Sequence, residues 1–258
     1  QHAQDPALTV GSQMNEGVVS SKLGLTGWPA VAEEAIIARD ILLAEHVGSR
    51  LHICHLTTAG GVDLLRFAKS RGISVTAEVT PHHLLLTDEL VSNYDPVFKV
   101  NPPLRTEQDV MALRAGLADG TIDIVGTDHA PHPTEDKDCE WQSAAFGMVG
   151  LETALSVVVK SMIETKLMSW SDLVDRMSIA PARIAGYSNH GRNIAVGAPA
   201  NLTIIDTSSN WIVDRNRLAS KSKNTPFQAM SLPARVLHTF FNGNLVLKDS
   251  ELVRGGSN

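Results

Sequence analysis

The chain of 258 residues has little cysteine, only Cys54 and Cys139. Two thiols cannot build a disulfide framework, and they point to a reducing, cytoplasmic compartment. Positive charge is not in excess either: 22 Lys and Arg stand against 28 Asp and Glu, a net charge of −6. A nucleic-acid footprint needs a basic patch or stripe, so that class of partner is excluded. No apolar run reaches membrane-spanning length, because Glu33, Glu34, Arg39, Asp40 and Glu45 interrupt the best candidate. No internal repeat, low-complexity tract or signal-peptide pattern is visible. The chain opens on Gln1-His2-Ala3-Gln4-Asp5 rather than on Met, so a longer protein with a start upstream is expected. What is present is 43% apolar residues, enough for a sizeable core in one α/β domain with a small appendage.

Two regimes of patterning follow one another. From about residue 30 to 187, helix-like and strand-like segments alternate. The spacing predicts a helix over 30–47, with Val31, Ala35, Ala38, Leu42 and Glu45 on one side. Ile37, Ile41 and Ala44 widen its apolar stripe, and Gly48 ends it. Strands are predicted at 50–56 and 73–80, a helix at 60–71 and another from Thr106, an N-cap paired with Asp109, to about Ala118. "TIDIVGTD" reads as the next strand, with helices at about 150–166 and 171–178 to follow. Such alternation argues for a parallel sheet with helices on its faces. From about 190, strands are expected at 200–206, 211–214 and 234–249, with Asn242-Gly243 as a hairpin turn. Gly255 to Asn258 reads as a frayed tail.

The chemistry sits where strands end. "LHICH" ends in His55, "VFKVNPPLR" presents Asn101 and Arg105, and "IVGTD" ends in Asp128 with His132 just beyond. In a (β/α) barrel, the C-terminal ends of successive strands converge on one site. His2 joins them if residue 1 closes a strand. Imidazole and carboxylate are the usual ligands of catalytic zinc, which lowers the pKa of water there to about 7. Asp128 would then move protons toward a leaving nitrogen. Blander readings stand beside each residue. His55 is a satisfied strand histidine, Asp128 an N-cap, His132 a loop residue, Asn101 a turn former and Arg105 half of a surface pair. His82 and His83 are read as structural. Cys54, opposite His55 on the strand, is read as core.

Several motifs, in one order, carry a resemblance. "HICHLTTAGGVDLLRFAKSRGISVTAEVTPHHLLL", "DPVFKVNPPLR", "DGTIDIVGTDHAPH", "AAFGMVGLETAL", "SIAPARIAG", "VGAPANLTIID" and "SKSKNTPF" together resemble the bacterial dihydroorotases of the amidohydrolase superfamily. The resemblance implies the C-terminal half of a TIM (β/α)8 barrel over 1–187, strands five to eight, and part of a small β-sandwich module over 188–258. It implies one or two Zn2+ ions and the reversible interconversion of N-carbamoyl-L-aspartate and L-dihydroorotate in pyrimidine synthesis. By motif, His2 and His55 match zinc ligands at the ends of the fifth and sixth strands. Asp128 matches a metal ligand and the catalytic proton shuttle. Asn101, His132 and the backbone around Phe146-Gly147 match substrate contacts. Ala145 stands where the family usually has Pro, and "QHAQD" departs from the family's His-Cys-Glu-Asp.

The family's His-x-His pair, a substrate-binding Arg and a bridging Asp or carboxylated Lys have no counterpart here. Four strands of a closed barrel leave two open edges, so the segment alone is expected to need an upstream piece or another chain. The implied partners are a small-molecule substrate, and a second copy or aspartate transcarbamoylase. Two other readings stay open: a non-catalytic scaffold, and a related cyclic amidohydrolase of hydantoinase or allantoinase type. NPPLR and TDHAPH favour dihydroorotase, and the presence of Asp128, His55 and Asn101 weighs against the scaffold.

Overall fold

The computed structural model describes residues 1–253; the tail expected at Gly255 to Asn258 lies outside the described residues. The chain opens with β1 (Met14–Asn15), α1 (Val18–Leu23) and β2 (Gly27–Trp28), the two strands pairing in parallel. Next come α2 (Val31–Val47), β3 (Leu51–Ile53), α3 (Ala59–Ser70), β4 (Val75–Val79), α4 (Glu107–Asp119) and β5 (Ile124–Val125). β3, β4 and β5 form a parallel sheet in that order, with Ile53 opposite Ala77 and Val79 opposite Val125. α2 ends at Gly48, whose φ of 66° is the left-handed cap that glycine adopts without strain. α4 starts at Thr106, whose side chain accepts from the Asp109 amide while the Asp109 carboxylate accepts from the Thr106 amide. Such a box contributes about 1 kcal/mol.

Alternation along the strands sorts the sheet into two faces. Ile53, Val75, Ala77 and Val79 are buried against Ile37 and Ile41 of α2, Val62 and Leu65 of α3, and Leu113 and Leu117 of α4. Each such aliphatic side chain contributes about 1.5–3 kcal/mol through burial. His52, Cys54, Thr76 and Glu78 take the other face and are half-buried. Two expectations are corrected here. Cys54 is not packed in the core, since it shares the face of His52. The buried stripe of α2 is Ala32, Glu33, Ile36, Ile37, Ile41 and Ala44, while Val31 and Leu42 are exposed. The many apolar residues around this helix made two faces plausible, and contact with β3 and α3 selects one.

A short helix α5 (Thr134–Lys137) follows, then α6 (Ala154–Val158), which widens into a π turn at Val159–Ile163. α7 (Trp170–Val174) passes through a second π turn at Asp175–Ile179 into α8 (Ala180–Ala185). The remainder is an antiparallel sheet of β6 (Leu202–Ile212), β7 (Ser231–Phe241), β8 (Asn244–Lys248) and β9 (Glu251–Leu252). Asn242 and Gly243 turn between β7 and β8 with φ of 48° and 80°, as a tight hairpin requires. The two strands expected at 200–206 and 211–214 are one irregular strand, with register shifts between Asp206 and Asn210. This sheet is tied to α6: the Trp211 indole donates to Ser156 Oγ (3.0 Å), and Ser156 Oγ donates to the Ala234 carbonyl (2.7 Å). Phe227 and Leu232 pack with Leu86, Val100, Leu104, Met148 and Val157 in a second apolar core.

A buried polar network links β1, β2, α2 and the turn after β3. Arg105 is not half of a surface pair, because it is 1% exposed. Its Nη1 donates to Asn15 Oδ1 (2.9 Å) and the Trp28 carbonyl (2.8 Å), and its Nε to Thr57 Oγ1 (3.1 Å). Its Nη2 stands 3.9 Å from a Glu33 carboxylate oxygen. Glu33 in turn accepts from the amides of Thr57 (2.9 Å) and Thr58 (3.2 Å). Burial pushes the Glu33 carboxyl upward, and the nearby Arg105 opposes that shift. Removing one partner of such a pair leaves the other charge buried alone. Arg105→Met should therefore cost about 3–5 kcal/mol in denaturant unfolding of the full-length protein. A loss under about 1 kcal/mol would show that the network is dispensable.

Candidate functional site

Parallel pairing brings the strand ends to one edge of the sheet. At the outer edge of β3, the Gln1 amino group donates to the His52 carbonyl (2.7 Å), and the Cys54 amide donates to the Gln1 carbonyl (2.9 Å). That pairing delivers His2 beside His55, with ring centroids 4.4 Å apart in an edge-on arrangement. His55 has left the strand conformation, with φ of 33°, and Asp128 has φ of 43° beyond β5. Both lie in the sparsely populated left-handed region, where non-glycine residues concentrate at functional sites. The fields of His2 and of the neighbouring Glu78 both reach Asp128.

Burial favours the neutral form of two imidazoles here. Burial, followed by the nearby His2, pushes His55 down to about 4. Its Nδ1 is buried and has no hydrogen-bond partner. His82 is fully buried as well, held down to about 3 by desolvation, and its Nε2 is also unpartnered. Two orphaned nitrogens at one sheet edge are the donor chemistry that a divalent cation satisfies. Asp128 adds a carboxylate whose pKa is raised by burial, lowered in part by His2 and raised again by Glu78. The three expected ligands are near one another but are not gathered into a closed set. His2 Nε2 instead donates to Asn101 Oδ1 at 3.1 Å. Among the described residues, the trio with ligand atoms all within 4.8 Å is His52, Cys54 and Glu78, one layer further into the sheet. His52 Nε2 stands 3.3 Å from Glu78 Oε2, and its Nδ1 is 2.8 Å from Thr76 Oγ1.

Asn101 sits on a braced loop. Thr80 Oγ1 and His83 Nδ1 share a hydrogen bond of 2.8 Å, and His83 Nε2 donates to the Pro102 carbonyl (3.2 Å). His83 is thus a support for the Asn101-Pro102-Pro103 segment. The Asn101 amide also donates to Gln4 Oε1 (3.4 Å). His132 Nε2 donates to the Phe146 carbonyl (2.9 Å), so His132 and Phe146-Gly147 meet as one unit. Gly147 has φ of 137°, and a Cβ there would lie 2.7 Å from both His132 Nε2 and Ala130 Cβ.

Sequence reasoning missed one organising residue, Asn224. Its Nδ2 donates to the carbonyls of Ala130 (3.0 Å) and Gly147 (3.2 Å), and its own carbonyl accepts from the Val149 amide (3.1 Å). It is 7% exposed and joins the antiparallel module to both site loops. The signal available was a polar residue inside "SKSKNTPF", a segment quoted only for its resemblance.

Comparison with known proteins identifies a family. The model of the Amidohydrolase family matches residues 12–246. A protein named dihydroorotase from Streptomyces coelicolor is 66% identical over 252 residues, covering 98% of this chain and 59% of that protein. A dihydroorotase from Leifsonia xyli is 60% identical, covering 98% and 58%. The chain thus spans less than two thirds of the length of these curated relatives. Among solved structures, an L-hydantoinase (dihydropyrimidinase) from Arthrobacter aurescens is similar at a TM-score of 0.83 and 32% identity, over 88% of this chain and 51% of that one. A dihydropyrimidinase from Brevibacillus agri shares the fold at a TM-score of 0.83 and 22% identity, over 96% and 54%.

The close fit at Gly147 makes a prediction. Gly147→Ala should displace His132 and cost about 1–3 kcal/mol. Imidazole nitrogen resonances of His132 should shift with it. Unchanged His132 resonances and unchanged stability would contradict the packing described.

Proposed function

We propose a function from one premise: the chain belongs to the amidohydrolase family. The activity we assign is that of a dihydroorotase, the reversible hydrolysis of L-dihydroorotate to N-carbamoyl-L-aspartate in pyrimidine synthesis. Relatives of that name at 66% and 60% identity support the assignment. In this reading residues 1–187 supply strands five to eight of a (β/α)8 barrel, and residues 188–258 part of a small β-sandwich module. The enzyme is placed in the cytoplasm, as a homodimer or in association with aspartate transcarbamoylase.

One observation carries the reading: His2 lies against His55 and hydrogen-bonds Asn101, 99 residues away, at the edge where Asp128 lies just beyond β5. His2, His55 and Asp128 would hold one or two Zn2+ ions. When bound, zinc would polarise the ring carbonyl and acidify water. The remaining work falls to the chain. Asp128 takes a proton from the attacking water and gives it to the ring nitrogen as the C–N bond breaks, so the nitrogen leaves as the ureido group. Asn101 and His132 hold the substrate carboxylate. The hydrogen bond from Nε2 to the Phe146 carbonyl fixes the orientation of the His132 ring. The Phe146-Gly147 backbone lies along the ring.

A second reading is favoured by the 32% identity to an L-hydantoinase: the same chemistry on another cyclic amide. The substrate carboxylate separates the two. The full-length protein should hydrolyse dihydroorotate in preference to dihydrouracil, which lacks that carboxylate; the opposite preference would sink the assignment. Asp128→Asn should lower kcat by about a hundredfold to ten-thousandfold, the range lost with an acid–base group. Undiminished turnover by that variant would remove Asp128 from the mechanism.

A further inference from the structure

The acidic turn beyond His132 points one charged residue inward. Glu135, Asp136, Asp138 and Glu140 face solvent, whereas Lys137 is 7% exposed. Lys99, two residues before Asn101, is 2% exposed. Burying an ammonium is costly unless it is paired or hydrogen-bonded. Among the described residues neither lysine takes part in an ion pair. Both use backbone carbonyls instead. Lys99 Nζ donates to the carbonyls of Trp141 (2.7 Å) and Gln142 (3.2 Å) and lies 4.5 Å from the Phe146 ring centroid. Lys137 Nζ donates to the carbonyls of Lys99 (3.1 Å) and Ala145 (2.8 Å). The Gly147 amide donates to that same Lys99 carbonyl at 2.9 Å.

The contacts are reciprocal. The segment from Thr134 to Gly147 binds the Lys99 ammonium with its carbonyls, and returns an ammonium and an amide to the Lys99 carbonyl. Ordinary loop stability needs no such crossing. Here it ties the segment bearing Phe146 and Gly147 to the one bearing Asn101. A lysine suits the task because it carries three donors on a long flexible stem and can reach carbonyls from separate stretches.

We propose that Lys99 and Lys137 are positioning residues: they fasten the two halves of the substrate cradle at a set separation without touching substrate themselves. The proposal rests on the reading of Asn101, His132 and Phe146-Gly147 as substrate contacts. It predicts an effect on ground-state binding more than on chemistry, since Asp128, His2 and His55 follow other strands.

The test uses the full-length enzyme and the variants K137M and K137C, the latter before and after aminoethylation with 2-bromoethylamine, which rebuilds a lysine-like side chain. Parent enzyme alkylated in parallel controls for Cys54 and Cys139. K137M should raise KM by about tenfold while kcat stays within about threefold. Cleavage by a glutamyl endopeptidase at Glu135 or Glu140 should accelerate. Aminoethylation of K137C should reverse both effects. If K137M does not fold, the K137C comparison gives the same readout. A KM within about twofold of the parent, a loss confined to kcat, or no recovery on aminoethylation overturns the proposal. The kinetics are run with whichever cyclic amide the parent hydrolyses, so failure of the dihydroorotate assignment is seen separately.

Discussion

Everything at the site depends on parallel register. Parallel strands send all their C-terminal ends to one edge, and β3, β4 and β5 do so with Gln1 paired alongside. Apolar packing against α2, α3 and α4 holds those strands from one face. The polar residues that follow each strand therefore share a small volume, although His2 and Asp128 are far apart in sequence. No local motif could achieve this, because these residues follow separate strands.

The supports around that edge are polar and buried, and each fastens a different loop. Arg105 and Glu33 join the turn after β3 to β1, β2 and the loop that carries Asn101. His83 props the same loop from β4. Asn224 reaches in from the antiparallel module to hold the Ala130 and Gly147 carbonyls. The β module is thus a wall of the site rather than an independent appendage. The left-handed backbone of His55 and Asp128 stands among these supports.

Much of this is legible in the sequence, for identifiable reasons. Gly48, the Thr106–Asp109 box and Asn242-Gly243 act locally, so their helix ends and turn can be read directly. Strand existence was legible, but strand length was not: "TIDIVGTD" yields only Ile124–Val125, since regular pairing stops where the site begins. Helix α2 carries apolar residues on more than one side, so only tertiary contact decides its buried face. Cys54 was misplaced because His55 breaks the strand alternation. Arg105, Asn224 and Lys137 were missed in their real roles, since a buried polar residue cannot be told from an exposed one without its partners. His2, His55, Asn101 and Asp128 were found at the ends of strands or through motif resemblance, and the fold places them at one edge.

That convergence makes a definite demand on any bound cation. The demand can be met by nitrogen and oxygen donors at the edge, from His2, His55 and Asp128, or by the deeper trio that includes the Cys54 thiol. Zinc K-edge X-ray absorption on the zinc-loaded full-length protein separates them most directly. The account predicts nitrogen and oxygen neighbours at about 2.0–2.1 Å, with imidazole scattering that falls when His55 is replaced by Ala. A sulfur neighbour at about 2.3 Å, or an imidazole signal indifferent to that replacement, would contradict it.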